Sequence, residues 1–148
     1  MNSHFRPGAV ALFVCCILYL TGCESRDEIP AAFIGSWQSD EQLTLESMRG
    51  SKLVDAAARA TFEDEFFGRL IVDYRQFEGR SYFVDSAERP EFEPHDIVDS
   101  GPSFVTFRAP DNEKLGLDTE RTWYVDGDLM IVRLDEWGFV EVFRRIEE

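Results

Sequence analysis

Side chains able to do chemistry are few in this 148-residue chain, and most of them are carboxylates. His95 lies between Pro94 and Asp96, and the body of the chain holds no second histidine. Ser–His–Asp chemistry would need Ser100 or Ser103 beside it, and neither sits in a nucleophile-elbow pattern. His95 is therefore read as a surface or turn residue. A zinc site would require further His or Cys ligands, which the chain after Cys23 lacks. Asp126-Gly127-Asp128 resembles a fragment of a calcium loop, but the alternating ligands that should accompany it are missing. Asp-Gly is better explained as a two-residue hairpin turn. Glu63-Asp64-Glu65 and Asp135-Glu136 read as solvated surface, and neither a phosphate loop nor a dinucleotide fingerprint is present. The expectation is a non-enzymatic protein with no catalytic residue, no cofactor and no metal.

One reactive group is left, the thiol of Cys23. It closes Leu20-Thr21-Gly22-Cys23, directly after an apolar run of thirteen residues (8–20), and no cysteine follows it. Arg6 and His4 precede that run. A charged start, a short apolar run and small residues before a cleavage point are the parts of a secretory signal. The run is too short for a membrane span, which needs about 20 residues. Leu20-Thr21-Gly22-Cys23 resembles the lipobox of bacterial lipoproteins. The resemblance implies that residues 1–22 are a signal peptide and that Cys23 becomes the lipidated first residue. It would carry diacylglycerol on sulfur and an N-acyl chain such as palmitate. Several acyl chains on one residue anchor far more firmly than a single chain does. Cys15 and Cys16 would leave with the signal, so no disulfide framework remains. The implied location is the bacterial cell envelope, with attachment to the membrane through Cys23. Glu24 stands where the inner-membrane retention signal has an aspartate, which implies the outer membrane, facing the periplasm.

Charge narrows the partners. The chain carries 29 acidic residues against 15 Lys and Arg, a net of −14; loss of Arg6 with the signal makes it −15. Such a surface is repelled by phosphate backbones and anionic lipid, so nucleic acid is excluded as a partner. Composition is that of one folded domain, 44% hydrophobic and 14% aromatic.

Residues 23–32 are polar and end near Pro30, so they read as the lipidated N-terminus and a flexible tether, with the domain itself spanning 33–148. Short runs predict strands at 33–37, 42–45, 69–75, 81–85, 95–99, 104–108, 122–125, 129–134 and 139–146. Residues 51–67 predict a helix: Val54, Ala58, Phe62 and Phe66 form one stripe, Ser51 could cap the start and Gly68 could end it. The expected fold is mostly β, a small antiparallel up-and-down barrel of about eight strands with one helix after the first strand. Closing the sheet would remove exposed edges. A two-sheet sandwich is the alternative.

Gly35-Ser36-Trp37 at the first strand resembles the Gly-x-Trp signature of lipocalins and the wider calycin group. In that family the tryptophan closes one barrel end and an arginine from the last strand packs over it. Val142-Phe143-Arg144-Arg145-Ile146 offers the arginine. Arg144 is in phase with Val140, Val142 and Ile146 and is the one expected on Trp37. A helix after the first strand is similar to fatty-acid-binding proteins. Two functions follow from this lipocalin-like layout. The barrel could hold a small hydrophobic or amphipathic ligand among Phe66, Phe67, Tyr74, Phe83, Phe104, Phe107, Trp123, Tyr124, Phe139 and Phe143, or those rings could equally fill it. It could instead be filled, serving as a scaffold whose acidic loops at 88–99 and 109–119 meet a basic envelope protein partner. Short strands bearing many rings favour a mostly filled interior.

Overall fold

The computed structural model describes residues 27–65, 67–109 and 119–147. Nine strands are formed: β1 (Gly35–Ser39), β2 (Leu70–Tyr74), β3 (Glu78–Phe83), β4 (Glu93–Pro94), β5 (Ile97–Gly101), β6 (Phe104–Arg108), β7 (Glu120–Asp126), β8 (Leu129–Leu134) and β9 (Phe139–Ile146). Between β1 and β2 stand two helices, α1 (Glu41–Arg49) and α2 (Ala56–Glu65). All strands belong to one antiparallel sheet in the order β4-β3-β2-β1-β9-β8-β7-β6-β5, so the sandwich alternative fails. Each strand pairs with its sequence neighbour, and β1 joins β9, except that β4 and β5 do not pair. Those two edge strands are linked only through His95 and Asp96. The ends of the sheet are thereby drawn together, and the result is a curled half-barrel open between β4 and β5. The up-and-down antiparallel fold expected from the sequence is observed, with a gap where closure was expected.

Period-two alternation fills the concave side. Trp37, Val72, Tyr74, Val105, Met130, Val132, Phe139 and Phe143 are all buried there in one cluster. The two-residue β7–β8 turn is Gly127-Asp128, one residue later than the expected Asp126-Gly127, because Asp126 still pairs with Leu129; Gly127 has φ 59°, a conformation that favours glycine.

Two helices are found where one was expected. Residues 42–45, read as a strand, lie in α1. Their polar–apolar alternation is too short to separate the two periods, and the decisive signal is Asp40. Its carboxylate accepts from the Leu43 N–H at 3.0 Å and caps the helix. The predicted helix at 51–67 shrinks to α2, capped by Asp55 through the Ala58 N–H at 2.8 Å. Ser51 is not a cap; its hydroxyl donates to the Trp137 carbonyl. Phe62 projects into a cluster with Phe67, Trp137 and Phe139, and Phe66 lies outside the described residues.

The α1 helix also solves an edge problem. Strand β1 ends at Ser39, so β9 loses its hydrogen-bonding neighbour below Phe143. The Val142 N–H instead donates to the Thr44 hydroxyl at 3.0 Å and the Val140 N–H to the Ser47 hydroxyl at 3.0 Å. The Asp40 N–H donates to the Val142 carbonyl at 2.7 Å. Side chains of α1 thus replace the missing strand, as buried backbone groups require.

The folded region starts before the expected boundary at residue 33. Ile29 is 1% exposed and belongs to the core, and its N–H donates to the Gln76 carbonyl at 2.9 Å. The Asp27 carboxylate accepts from the Ile97 N–H at 3.0 Å. The one apolar residue in an otherwise polar tether is what docks it. Every described element and core residue therefore falls within 27–147.

Candidate functional site

Two regions hold the residues singled out by the sequence. The first is the sealed end of the half-barrel. A 3-10 turn, Ala31–Phe33, places Phe33 in the core, and the Trp37 indole N–H donates to the Phe33 carbonyl at 2.8 Å. Gly35 has φ 128°, and a Cβ there would meet Arg145 Nη1 at 2.8 Å, which gives the glycine before Trp37 a physical reason. The arginine over Trp37 is Arg145, with its guanidinium carbon 4.1 Å from the ring centre.

Arg144 is not that residue. It points outward and pairs with the Asp40 carboxylate at 2.9 Å. Strand β9 carries two apolar alternations: Val140, Val142 and Ile146 on one face, Phe139 and Phe143 on the other. The second faces the main core cluster, while Val142 is buried outside it, where α1 packs along β9. Phasing Arg144 with the valines therefore followed the wrong face.

The same face brings an acid inward. Glu141 lies between Phe139 and Phe143 and is 6% exposed, accepting from the Ser39 hydroxyl at 2.9 Å. Burial pushes its carboxyl up to about 7, opposed by the Ser39 hydrogen bond and the Arg121 charge. Arg121 pairs with Glu136, and its Nη1 is buried without a partner among the described residues. The alternation Phe139-x-Glu141-x-Phe143 was the available signal for this buried acid, and sequence reasoning missed it.

The second region is a cleft of about 690 Å³. Leu70, Val72 and Tyr74 of β2 line it together with Phe107 of β6 and Trp123 of β7. Strand β4 is two residues long and unpaired with β5, so the wall is low there and the cleft opens between them. The Tyr74 and Phe107 rings stack with centroids 5.6 Å apart and 12° between planes. Burial raises the Tyr74 phenol well above its ordinary value, so it stays neutral at physiological pH. A polar rim is supplied by Arg80, Glu91, Glu93 and Asp96.

His95, read from the sequence as a surface or turn residue, lies in the link between β4 and β5 and also belongs to this wall. Its ring packs against Tyr74 and Phe107, with centroids 5.8 and 5.7 Å away. Its Nε2 is hydrogen-bonded to the Arg75 carbonyl at 2.9 Å, and burial lowers its pKa, which favours the neutral ring. Among the described residues no group of three or more His, Cys, Asp or Glu side chains could hold a metal. No described helix is long and apolar enough to cross a membrane. Cys23 and residues 110–118 of the acidic loop lie outside the described residues.

No protein-family model, no curated protein and no solved structure matches this chain. The arrangement of an apolar floor under a polar rim suits capture of a molecule with an apolar body and a polar end.

Proposed function

We propose that the chain is a lipid-anchored protein of the bacterial cell envelope that binds a small apolar or amphipathic molecule, without catalysis, in the cleft of its half-barrel. The observation that carries the reading is the cleft itself, about 690 Å³ and floored by Val72, Tyr74, Phe107 and Trp123. That volume falls in the range of small-molecule pockets, roughly 300–1,000 Å³. The scaffold reading rests on a mostly filled interior, and the open volume supports ligand binding over it. Lipidation at Cys23 would tether this cleft to a membrane surface, where amphipathic molecules are concentrated.

Native mass spectrometry of residues 24–148, expressed in the periplasm and purified without detergent, tests the proposal. That chain keeps every described element of the fold. An added mass on the scale of a single-chain lipid, released on denaturation and lost in Trp123→Ala, is expected. A bare mass that stays bare after incubation with an extract of envelope lipids overturns it and returns the scaffold reading.

A further inference from the structure

The cleft rim holds charges of both signs, but they are not equally available. Arg80 donates through Nε to the Asp73 carboxylate at 2.8 Å, with the two side chains only 18% and 11% exposed. The Arg80 guanidinium also lies 4.3 Å from the centre of the Phe92 ring. Arg108 sits 3.5 Å from the Asp96 carboxylate. Glu91 and Glu93 line the cleft and stand exposed, and their carboxylates have no hydrogen-bond or ion-pair partner among the described residues. Both arginines that line the cleft are therefore ion-paired, Arg80 with Asp73 outside the lining and Arg108 with Asp96 within it, whereas the Glu91 and Glu93 carboxylates have no ion-pair partner among the described residues.

We infer that the ligand's polar end is cationic: an amine or quaternary ammonium head on an apolar body. The inference rests on the cleft being the binding site. An anionic head would have to compete with Asp73 or Asp96 for an arginine already paired, then lie beside Glu91 and Glu93. A cationic head meets those two carboxylates directly. Below that rim Tyr74, Phe107 and Trp123 line the cleft and offer apolar contact to the body of such a molecule. The net charge of −14 adds a long-range field of the same sense.

Three amphiphiles with one twelve-carbon chain separate the possibilities: dodecyltrimethylammonium, dodecyl maltoside and dodecanoate. Each is titrated into residues 24–148 below its micelle concentration at low salt, with tryptophan fluorescence as the readout and Trp123→Phe as the control for the cleft. The cation should bind about tenfold more tightly than the anion. Glu91→Gln and Glu93→Gln should each weaken only the cation, by about 1.5- to 5-fold. Both sites are exposed, so folding is not at stake. Equal or tighter binding of dodecanoate overturns the head-group inference and leaves the binding site standing. No response to any of the three overturns the binding site as well.

Discussion

The guanidinium carbon of Arg145 lies 4.1 Å from the centre of the Trp37 ring, while its two terminal nitrogens donate to the carbonyls of Ile34 at 2.7 Å and Ala32 at 2.8 Å. One side chain therefore stacks on the end of the core and ties down the 3-10 turn that seals it. Replacing Arg145 by alanine should lower stability by about 2 kcal/mol, through the lost stacking and two charge-assisted hydrogen bonds. Replacing Arg144 should cost less than about 1 kcal/mol, because its side chain is 58% exposed and its pair with Asp40 is screened. Urea unfolding of both variants checks the ranking, and a larger loss for Arg144→Ala would reverse the assignment.

Trp37 is wholly buried, 0% exposed, and its indole N–H is committed to the Phe33 carbonyl. Trp37→Ala should cost about 3–5 kcal/mol. Trp37→Phe keeps most of the volume but strands the carbonyl, so an intermediate loss is expected. If denaturant unfolding gave only a few tenths of a kcal/mol for the alanine variant, Trp37 would have to be exposed in solution.

Much of this fold was legible because alternation on a half-buried strand carries its own phase. The strands at 104–108 and 129–134 follow from that signal, and so does the β7–β8 hairpin, whose turn falls at Gly127-Asp128, one residue later than expected. Phase became misleading on β9, where both faces are covered, one by the half-barrel core and one by α1. There the sequence cannot say which arginine faces Trp37, and Glu141 hides between Phe139 and Phe143. The α1 helix was missed because nine residues offer only two turns and its buried positions are Thr44 and Met48. The cleft was illegible for a different reason. It opens where β4 and β5, consecutive in sequence, do not pair; Pro94 in β4 marks an edge, but one proline does not say that the sheet stays open there.

The hydroxyl of Thr44 stands in for a backbone carbonyl at the edge of β9, accepting from the Val142 N–H at 3.0 Å in a fully buried position. Thr44→Val preserves the shape and removes the acceptor, so the amide is left unsatisfied. A loss of about 1–3 kcal/mol is expected. Hydrogen exchange resolved at the Val142 amide gives the local check: its protection should fall more than that of Val132, which is bonded within the sheet. Unchanged protection at Val142 would mean that another group, or water, satisfies it.

The proposed lipidation would depend on the thiol of Cys23. Cys23→Ser removes the sulfur on which the proposed thioether would form, so under that proposal the variant keeps residues 1–22 and takes up no labelled palmitate. Electrophoretic mobility, palmitate labelling and membrane fractionation of the two forms read this directly. Processing and normal membrane retention of the serine variant would sink the lipobox assignment and the anchoring half of the proposed function.

Glu141 makes stability depend on pH in a direction opposite to most carboxylates. In the folded chain burial pushes its carboxyl from 4.5 up to about 7, while in the unfolded chain it ionises near its ordinary value of about 4.3. Between those two values the folded state holds a proton that the unfolded state has released. The stabilising contribution is thus fully present below about pH 4.5 and is lost as pH rises through about 7, roughly 3 kcal/mol in all. Glu141→Gln removes the titration while keeping a neutral side chain that can still pair with the Ser39 hydroxyl. Stability of the wild type relative to this variant, from urea unfolding at intervals between pH 4.5 and 8, should therefore decline steadily and leave the glutamine form the more stable at pH 8. Using the difference cancels the slopes of all other carboxylates. A difference that stays flat across the window would mean that Ser39 and Arg121 already hold the acid ionised in the fold, and that the buried charge is fully compensated.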